Sequence, residues 1–312
     1  MVFSAMEAPI LPCAAAVVGV APVSRRPPDI ALAATLHDPP GALADAIAEG
    51  LPRLAALYRG VAVATSPPTA ARVAAILAAH GAHAGATRAN LRGPLYRLSI
   101  RGALATGAAR VHYLDLDRAL RWAARAPREL RAVLRLGARH RVLVLGRTPK
   151  AHRSHHLPLY GTEVLVNRLM AVRVALVRPL DLLVPSFVLE RDAAARLLAR
   201  SRARDTAVYG EWAALVLGLA PEVAYLECRG LDWETPDRHR RAVRRLGLPA
   251  WRRRQETPAE WARRITMAAD FLAGFERALG RPPITRPAVR TFAPRAWRPL
   301  APRRAQRWAR QR

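Results

Sequence analysis

The residues with the clearest chemical potential are two aspartates, Asp115 and Asp117, at the end of an apolar run. They close the segment 111–117 (VHYLDLD), whose alternating and apolar character predicts a buried strand over 110–116. Because side chains alternate along a strand with period two, the two carboxylates would point the same way. At the carboxyl edge of a parallel sheet, such a pair can hold a hard divalent cation, Mg²⁺ or Mn²⁺, that also binds phosphate oxygens. The alternative is that Asp117 caps the next helix and Asp115 is a turn residue.

A second group of polar residues follows the predicted strand 141–145. Arg147 and Lys150 stand just past that strand end, where their cationic groups can contact phosphate oxygens. Three histidines follow within 152–156 and could complete a metal shell, although metal sites usually draw their ligands from rigid elements at defined spacing. The favoured interpretation of 150–156 is a mobile polar loop over the binding site.

Strands and helices alternate through much of the chain. Apolar runs predict strands over 29–35, 60–65, 110–116, 141–145 and 222–227, and an extended run over 181–189. Helical periodicity, caps and glycine stops predict helices over 41–57, 66–80, 95–106, 127–136, 160–177, 191–201 and 211–218. This alternation predicts an α/β fold with a doubly wound, mostly parallel sheet flanked by helices, in which ligands bind at the carboxyl ends of strands.

The chain divides into four predicted segments: a loosely ordered lead-in over 1–28, an α/β domain over 29–256, a packing helix over 257–280 and a tail over 281–312. The packing helix opens on a capping box, Thr257-Pro258-Ala259-Glu260, with proline at the first helical position. Its apolar residues share one face, which predicts an amphipathic helix. The tail is rich in arginine and proline and is predicted to be disordered or weakly ordered.

Bulk composition narrows the class of protein. Hydrophobic residues make up 51% and aromatic residues only 6% of the chain, so the core must consist mostly of Ala, Leu and Val, which suits helices over a parallel sheet. The net charge of +28, from 51 basic against 23 acidic residues, predicts attraction to polyanions. The alternative is drift toward arginine under GC-rich codon usage.

The cysteines and the apolar segments bear on the compartment. Cys13 and Cys228 are far apart in sequence and fit neither a disulfide framework nor a metal site, which predicts free thiols in a reducing compartment. The apolar stretch 10–23 is broken by prolines and too short to span a bilayer. The sequence therefore predicts a soluble cytoplasmic protein.

The stretch 97–117 resembles a segment of the GT-A glycosyltransferases, the family 2-like nucleotide-diphospho-sugar transferases. In that family, a helix carrying an arginine leads through an Ala/Gly stop and an apolar strand to the D-x-D motif. The resemblance implies that Asp115 contacts the ribose or metal, Asp117 the metal and diphosphate, and Arg97 the diphosphate. It covers roughly 29–235. The family's first-strand signature of Pro, an aromatic residue and Asn is replaced here by 35–39 (TLHDP), which leaves recognition of the nucleotide base open.

Two further segments have a candidate role within this resemblance. Glu211 stands roughly where family members keep an acidic catalytic base, which implies that it deprotonates the acceptor hydroxyl. The alternative is a first-turn residue that complements the helix dipole. The segment 232–237 (DWETPD) resembles a sugar-binding platform, in which the ring of Trp233 stacks on the sugar and the carboxylates accept hydroxyl hydrogen bonds. Alternatively, Trp233 covers the sheet edge.

Together these features predict a glycosyltransferase-like protein that uses a divalent cation and a nucleotide-diphospho-sugar donor, with the acceptor and the oligomeric state left open. The alternative is a catalytically silent protein of the same fold that binds nucleotide, or an anionic polymer or membrane surface, through its arginine-rich face and tail. The motifs of serine hydrolases, P-loop NTPases and dinucleotide-binding proteins are absent from the sequence. Sugar-nucleotide pyrophosphorylases share the layout, but their glycine-rich, lysine-bearing first loop is also absent.

Overall fold

An eight-stranded sheet forms the centre of the computed structural model, which describes residues 28–280 and 288–292. Buried apolar runs form most of these strands; in the first of them all seven residues are buried, as expected of a parallel sheet covered on both faces. The strands are β1 (Ile30–Leu36), β2 (Gly60–Thr65), β3 (His83–Ala86), β4 (Arg110–Tyr113), β5 (Val142–Arg147), β6 (Phe187–Glu190), β7 (Glu222–Cys228) and β8 (Ala288–Phe292).

Helices connect most of the strands. Those that precede β6 are α1 (Ala44–Ala55), α2 (Ala71–Ala79), α3 (Arg92–Ala105), α4 (Leu116–Arg125), α5 (Pro127–Gly137), α6 (Pro149–Arg153) and α7 (Leu157–Arg173). Those that follow it are α8 (Arg191–Arg200), α9 (Val208–Leu217), α10 (Thr235–Arg238), α11 (Arg240–Leu246), α12 (Leu248–Arg253) and α13 (Pro258–Leu279). Within the described ranges, none of them has the length and apolar character needed to cross a membrane.

The sheet has the strand order β3-β2-β1-β4-β6-β5-β7-β8. All neighbouring pairs are parallel except those of β6, which runs antiparallel to β4 and to β5. The chain moves outward from β1 to β3 and then returns to place β4 on the other side of β1. Open sheets of this kind form a crevice at such a reversal, outside the carboxyl ends of the two strands. The predicted fold class, an α/β fold with a mostly parallel sheet flanked by helices, is confirmed.

Two apolar cores lie on opposite faces of the sheet. One contains buried residues of α1, α2, α4 and α5, and the other contains those of α3, α7, α8, α9 and α13. The predicted C-terminal helix is part of the second core. It crosses α9 with backbones in close approach, since a Cβ on Gly210 would overlap the carbonyl oxygen of Phe271 and one on Gly274 would overlap that of Ala207.

Three local predictions need correction. The strand predicted over 110–116 ends at Tyr113, and Asp115 is the N-cap of α4 in extended conformation, with Asp117 in the first helical turn. The two aspartates therefore do not occupy alternate positions on a strand. Residues 288–292 of the predicted disordered tail form β8, which pairs with β7; the rest of 281–312 and the lead-in 1–27 lie outside the described residues.

The third correction concerns the histidine-bearing segment 150–156. Instead of a mobile polar loop, residues 149–153 form α6, in which the Thr148 hydroxyl accepts a hydrogen bond from the Ala151 amide. All three histidines are buried. The ring of His152 packs edge-on against Tyr160, with the ring centroids 5.0 Å apart. Packing against an aromatic ring thus holds this segment in place. The polar sequence of 150–156 does not indicate this contact.

Acid will weaken the fold through His112, a fully buried residue of β4 whose Nδ1 lies 2.8 Å from the Tyr58 hydroxyl. Burial lowers the pKa of His112 to about 3 from 6.5. Below pH 6.5 the imidazole of His112 is therefore protonated in the unfolded chain but stays neutral in the folded chain. The free energy of unfolding falls as the pH drops. Between pH 7 and pH 5 the loss from this residue is about 2 kcal/mol. Urea unfolding at several pH values should show a flatter pH dependence in His112→Asn and an unchanged one in the exposed control His80→Asn; an unaltered slope in both would contradict this account.

Candidate active site

A cleft of about 390 Å³ opens where the carboxyl ends of β1 and β4 meet. Thr35 of β1 and Asp115, two residues past β4, line its floor. The cleft therefore lies at the reversal of strand order, where ligands of open α/β sheets bind. Its wall carries carboxylates and guanidinium groups in alternation, contributed by Asp115, Asp117, Glu234, Arg92, Arg118 and Arg238.

Asp115 is held by the neighbouring strand end. Its Oδ1 accepts a hydrogen bond of 2.7 Å from the Thr35 hydroxyl, and its Oδ2 lies 4.0 Å from Nε of Arg118. Burial raises the pKa of the Asp115 carboxyl, and the negative charge of Asp117 raises it further, against the attraction of Arg118. Negative charge is therefore concentrated around Asp115, and a cation bound there would be stabilised.

Asp117 is held by a residue far along the chain. Its Oδ2 accepts hydrogen bonds from Nε and Nη2 of Arg238, at 3.1 and 2.7 Å, and its Oδ1 accepts one of 2.9 Å from the Arg118 amide. Arg238 also donates to the carbonyl oxygen of His37, at 2.7 Å. The guanidinium thus ties α10 to α4 and to the loop after β1, and it occupies Asp117 in this state of the protein.

Glu234 and Arg118 form a buried pair beside the aspartates. Nε of Arg118 lies 3.4 Å from Oε2 of Glu234. Burial raises the pKa of Glu234, and although Arg118 lowers it, Asp117 and Asp115 act in the same direction as burial. Among the described residues, Glu234 Oε2 and both Nε and Nη1 of Arg118 have no hydrogen-bond partner. Buried groups of this kind are costly unless a ligand, ion or water completes them.

Further along the cleft, cationic and aromatic side chains alternate. Arg92 donates to the Tyr209 hydroxyl at 3.1 Å, and its guanidinium carbon lies 5.6 Å from the centroid of that ring. The hydroxyl of Tyr96, a buried neighbour of Tyr209, has no hydrogen-bond partner among the described residues. Arg263 and Arg264 also line the cleft. This combination suits a ligand that joins an anionic group to rings or hydroxyls.

Trp233 also lines the cleft, together with the adjacent Glu234. The indole of Trp233 stands 5.2 Å from the ring of Trp251 and 5.6 Å from that of His156, measured between centroids. Burial lowers the pKa of His156 to about 4, and Arg264 contributes, so the imidazole is neutral at pH 7. The segment predicted as a sugar-binding platform is thus brought to the cleft, although only 4% of Trp233 is exposed.

Three carboxylate side chains, those of Asp115, Asp117 and Glu234, line the cleft and offer the ligand chemistry of a divalent cation, although among the described residues only the group His152, Glu163 and Asp181 has three ligand atoms within 4.8 Å of one another. Burial raises the pKa of both Asp115 and Glu234, and the charge of Asp117 raises both further, so negative charge accumulates on this side of the cleft. Carboxylate oxygens are the ligands that Mg²⁺ and Mn²⁺ prefer. Both Arg238 nitrogens donate to Oδ2 of Asp117, whereas Oδ1 accepts one hydrogen bond, so Asp117 can join such a site through Oδ1 or by exchanging Arg238 for the cation.

Two predicted site residues are placed outside the cleft. Arg97 donates to the Ser201 hydroxyl at 3.2 Å and to the carbonyl oxygen of Ala203 at 2.8 Å. The carboxylate of Glu211 accepts from the same Ser201 hydroxyl and from the amides of Arg202 and Ala203, at 2.7, 2.7 and 3.0 Å. Neither residue lines the cleft. We therefore assign both to a network that fixes the loop between α8 and α9, in place of diphosphate contact and general base.

The structural role of Glu211 is testable. Glu211→Gln places an amide against three donors, and we expect the free energy of unfolding to fall by about 1–3 kcal/mol. Nucleotide binding in the cleft should remain within about twofold of wild type, since 0.4 kcal/mol corresponds to that factor. The measurements are urea unfolding and calorimetric titration of nucleoside diphosphates. Full stability combined with lost turnover would restore Glu211 as the base.

Arg147 and Lys150, the predicted phosphate contacts, also lie outside the cleft. Lys150 is exposed on α6. Arg147 is buried, and it donates to Asp181 from Nε at 2.7 Å and to Glu163 from Nη2 at 2.5 Å. Arg147 is therefore not available as a phosphate contact, because its guanidinium pairs with Asp181 and Glu163 inside the protein.

Two of the residues that pair with Arg147 also belong to a possible metal site. His152, Glu163 and Asp181 offer ligand atoms within 4.8 Å of one another. Both carboxylates, however, already pair with Arg147, and Glu163 also lies 4.0 Å from Arg264. Burial alone would raise the pKa of Asp181, but Arg147 lowers it well below its usual range. We interpret this group as a buried ion-pair centre, because the guanidinium supplies the positive charge that a metal would bring.

Sequence reasoning missed three arginines of the cleft wall, Arg92, Arg118 and Arg238, as well as the pairing of Glu234 with Arg118. Arg118 directly follows Asp117, so its proximity could have been inferred from the D-x-D motif itself. Arg238 lies 121 positions from its partner, and among so many arginines no local signal distinguishes it.

Comparison with known proteins gives one kind of match. No family model and no curated protein matches the chain. Among solved structures, it is similar to glucosyl-3-phosphoglycerate synthase from Mycobacterium tuberculosis, with a TM-score of 0.38 and 15% identity over 60% of this chain and 64% of that chain. A structure of the same synthase in complex with Mg²⁺ and uridine diphosphate gives a TM-score of 0.39 and 14% identity over 71% and 66%. The chain thus spans less than two thirds of the length of these structures.

Proposed function

We propose that this protein is a sugar transferase that binds a nucleotide-diphospho-sugar and a divalent cation in the cleft at the ends of β1 and β4. The observation that carries the proposal is the crowding of Asp115, Asp117 and Glu234 against the guanidinium groups of Arg118 and Arg238. Carboxylates suit the cation, and arginines suit the diphosphate. This arrangement lies at the sheet edge where nucleotide ligands bind in open α/β folds.

Each residue has a part in this proposal. Asp115, Asp117 and Glu234 hold the cation, which when bound would stabilise the charge that develops on the diphosphate leaving group. Arg118, whose Nε and Nη1 lack hydrogen-bond partners among the described residues, donates to phosphate oxygens. Arg238 moves from Asp117 to the diphosphate as the cation arrives, so that its positive charge stays in the cleft.

The sugar and the acceptor occupy the remainder of the cleft in this proposal. The ring of Trp233 bounds the apolar side of the sugar site. Arg263 and Arg264, with Glu260, also line the cleft. We assign no general base, since Glu211 is engaged outside the cleft.

The contact between Arg238 and Asp117 also favours a second candidate, a catalytically silent protein that binds a nucleoside diphosphate through arginines without a cation. In that case Arg238 stays on Asp117, and binding does not respond to Mn²⁺. Predicted association of the tail with an anionic surface concerns residues outside the described ranges and stays a prediction.

Thermal-shift screening of nucleoside diphosphates and nucleotide-sugars, with and without Mn²⁺, separates these candidates. The proposed transferase should show at least one ligand whose stabilising shift grows with Mn²⁺. A thermal shift of the same size with and without Mn²⁺ would favour the catalytically silent binding protein. The absence of any shift across the panel would contradict both.

A further inference from the structure

The helix α7 is apolar on its outer side as well as on its inner side. Val166 and Met170 are buried in the core, as a helix packed on a sheet requires. On the opposite side, 56% of Leu165 and 80% of Val172 remain exposed. A surface helix ordinarily presents polar residues to water, and a helix that is apolar all round is ordinarily buried. This helix therefore lacks a cover on one side within the described protein.

Exposed apolar side chains are concentrated at this place. In the part of the chain that the structure describes, seven large apolar side chains are exposed, and only Leu248 lies elsewhere, on α12. The other six lie on α7, directly after it, or on α13, which packs against α7: Leu157, Leu165, Leu169, Val172, Val177 and Ile265. Single exposed leucines are normal, whereas a concentration marks an interaction surface. We call these six residues the α7 face.

Arginines flank the outer side of α7, and the carboxylates nearby, Glu276, Glu227 and Glu256, are engaged with Arg173, Arg178 and the Leu157 amide. Arg168 lies on the same side of the helix, three residues after Leu165 and four before Val172. Arg173 and Arg178 follow at the C-terminal end, where Arg173 pairs with Glu276 of α13 at 3.0 Å and Arg178 pairs with Glu227 at 3.4 Å. Glu163 is the one acidic residue of α7, and it is buried against Arg147. The outer side of the helix thus combines leucine and valine with arginine and offers no carboxylate.

We propose that the α7 face docks on an anionic lipid surface. Leucine and valine side chains enter the boundary between headgroups and acyl chains, and arginine reaches back to the lipid phosphates. A second copy of the chain fits less well. A two-fold contact through this face would bring Arg168 toward its own copy, with no acid on the outer side of α7 to pair with it.

Vesicle co-sedimentation of the full chain tests this inference. We expect wild type to bind vesicles that contain phosphatidylglycerol, and Leu165→Gln/Val172→Gln to partition at least about tenfold more weakly, because two apolar side chains no longer enter the membrane. Leu248→Gln is the control, since it removes a leucine that is 47% exposed and lies outside the α7 face, and it should bind as wild type does. Thermal unfolding of all three proteins should give the same midpoint, because the replaced side chains are exposed.

Two results would overturn the inference. One is equal vesicle binding by wild type and Leu165→Gln/Val172→Gln, which would place the contact in the basic tail or elsewhere. The other is a concentration-dependent dimer in sedimentation velocity that the double variant loses while its vesicle binding is unchanged, which would make a second copy the occupant of the face. The proposed transferase activity is independent of both results.

Discussion

Replacing Asp117 with asparagine will remove the response of nucleotide binding to divalent cations. In the proposed site, Asp117 would help to hold the cation once Arg238 had moved from its carboxylate to the diphosphate, and the cation would supply positive charge beside the diphosphate. Loss of a residue that only supports a metal ligand typically weakens metal binding by about 10–100-fold. Because Asp117 would be a direct ligand, we expect Asp117→Asn to weaken Mn²⁺-dependent nucleotide binding by about 100-fold or more. Calorimetric titration of a nucleoside diphosphate at saturating Mn²⁺ measures this loss.

The same variant should behave differently without a cation. Asparagine cannot neutralise Arg238, which in wild type donates two hydrogen bonds to Asp117. The freed guanidinium adds positive charge to the cleft, so Asp117→Asn should bind a nucleoside diphosphate in EDTA at least as tightly as wild type does. A purely structural role of Asp117 would weaken binding under both conditions.

Asp45→Asn is the matched control for this prediction. Asp45 is an exposed aspartate in the first turn of α1, as Asp117 is in the first turn of α4. Both substitutions remove a favourable charge from a helix N-terminus, worth about 0.3–1 kcal/mol of stability. Only Asp117→Asn should change the Mn²⁺ dependence. Equal Mn²⁺ dependence in wild type and Asp117→Asn would contradict a cation site on Asp117.

Replacing Arg147 with methionine will cause the largest loss of stability. The guanidinium is 99% buried and pairs with Asp181 and Glu163, and Asn167 donates to Asp181 as well. Methionine fills much of the same volume but leaves two buried carboxylates without the guanidinium that pairs with them. Breaking a buried pair in this way costs about 3–5 kcal/mol. Urea unfolding at pH 7 is the measurement.

The pH dependence and a surface control sharpen this prediction. Without Arg147, burial raises the pKa of both carboxyls, so protonation stabilises the variant and part of the loss should be regained as the pH falls below neutrality. Arg59→Met breaks an exposed ion pair with Asp29, in which each side chain is about half exposed, and should cost at most about 1 kcal/mol. If Arg147→Met proved as stable as Arg59→Met but lost nucleotide binding, Arg147 would be the phosphate contact that its position after β5 suggests.

Much of the layered architecture could be predicted because its signals are local. Buried strands produce unbroken apolar runs, and the run GVAVAT coincides with β2 (Gly60–Thr65). Caps and stops are equally local: Thr257 accepts from the Glu260 amide at the start of α13, and Gly107 adopts a φ of 76° after α3. Prediction failed where strands are short or formed by the tail, as in β3 and β8.

The candidate site could be predicted only in part. The position of Asp115 and Asp117 at a sheet edge follows from the strand that precedes them, but their surroundings depend on contacts across the chain. Arg147 was predicted to face phosphate because it follows a strand. Its guanidinium instead points into the protein, because it donates to Asp181, 34 residues later in the chain. Sequence spacing shows which residues stand at a strand end, and tertiary contacts decide whether their charge reaches the cleft.

Anomalous diffraction from Mn²⁺, in crystals of the full chain grown with the nucleoside diphosphate that gives the largest thermal shift, tests the central claim most directly. We predict an anomalous peak against the carboxylates of Asp115 and Asp117, with the diphosphate beside it and the guanidinium of Arg238 moved from Asp117 onto a phosphate oxygen. A peak at His152, Glu163 and Asp181 instead, or a nucleotide bound with Arg238 still on Asp117, would contradict the proposed cation-dependent transferase.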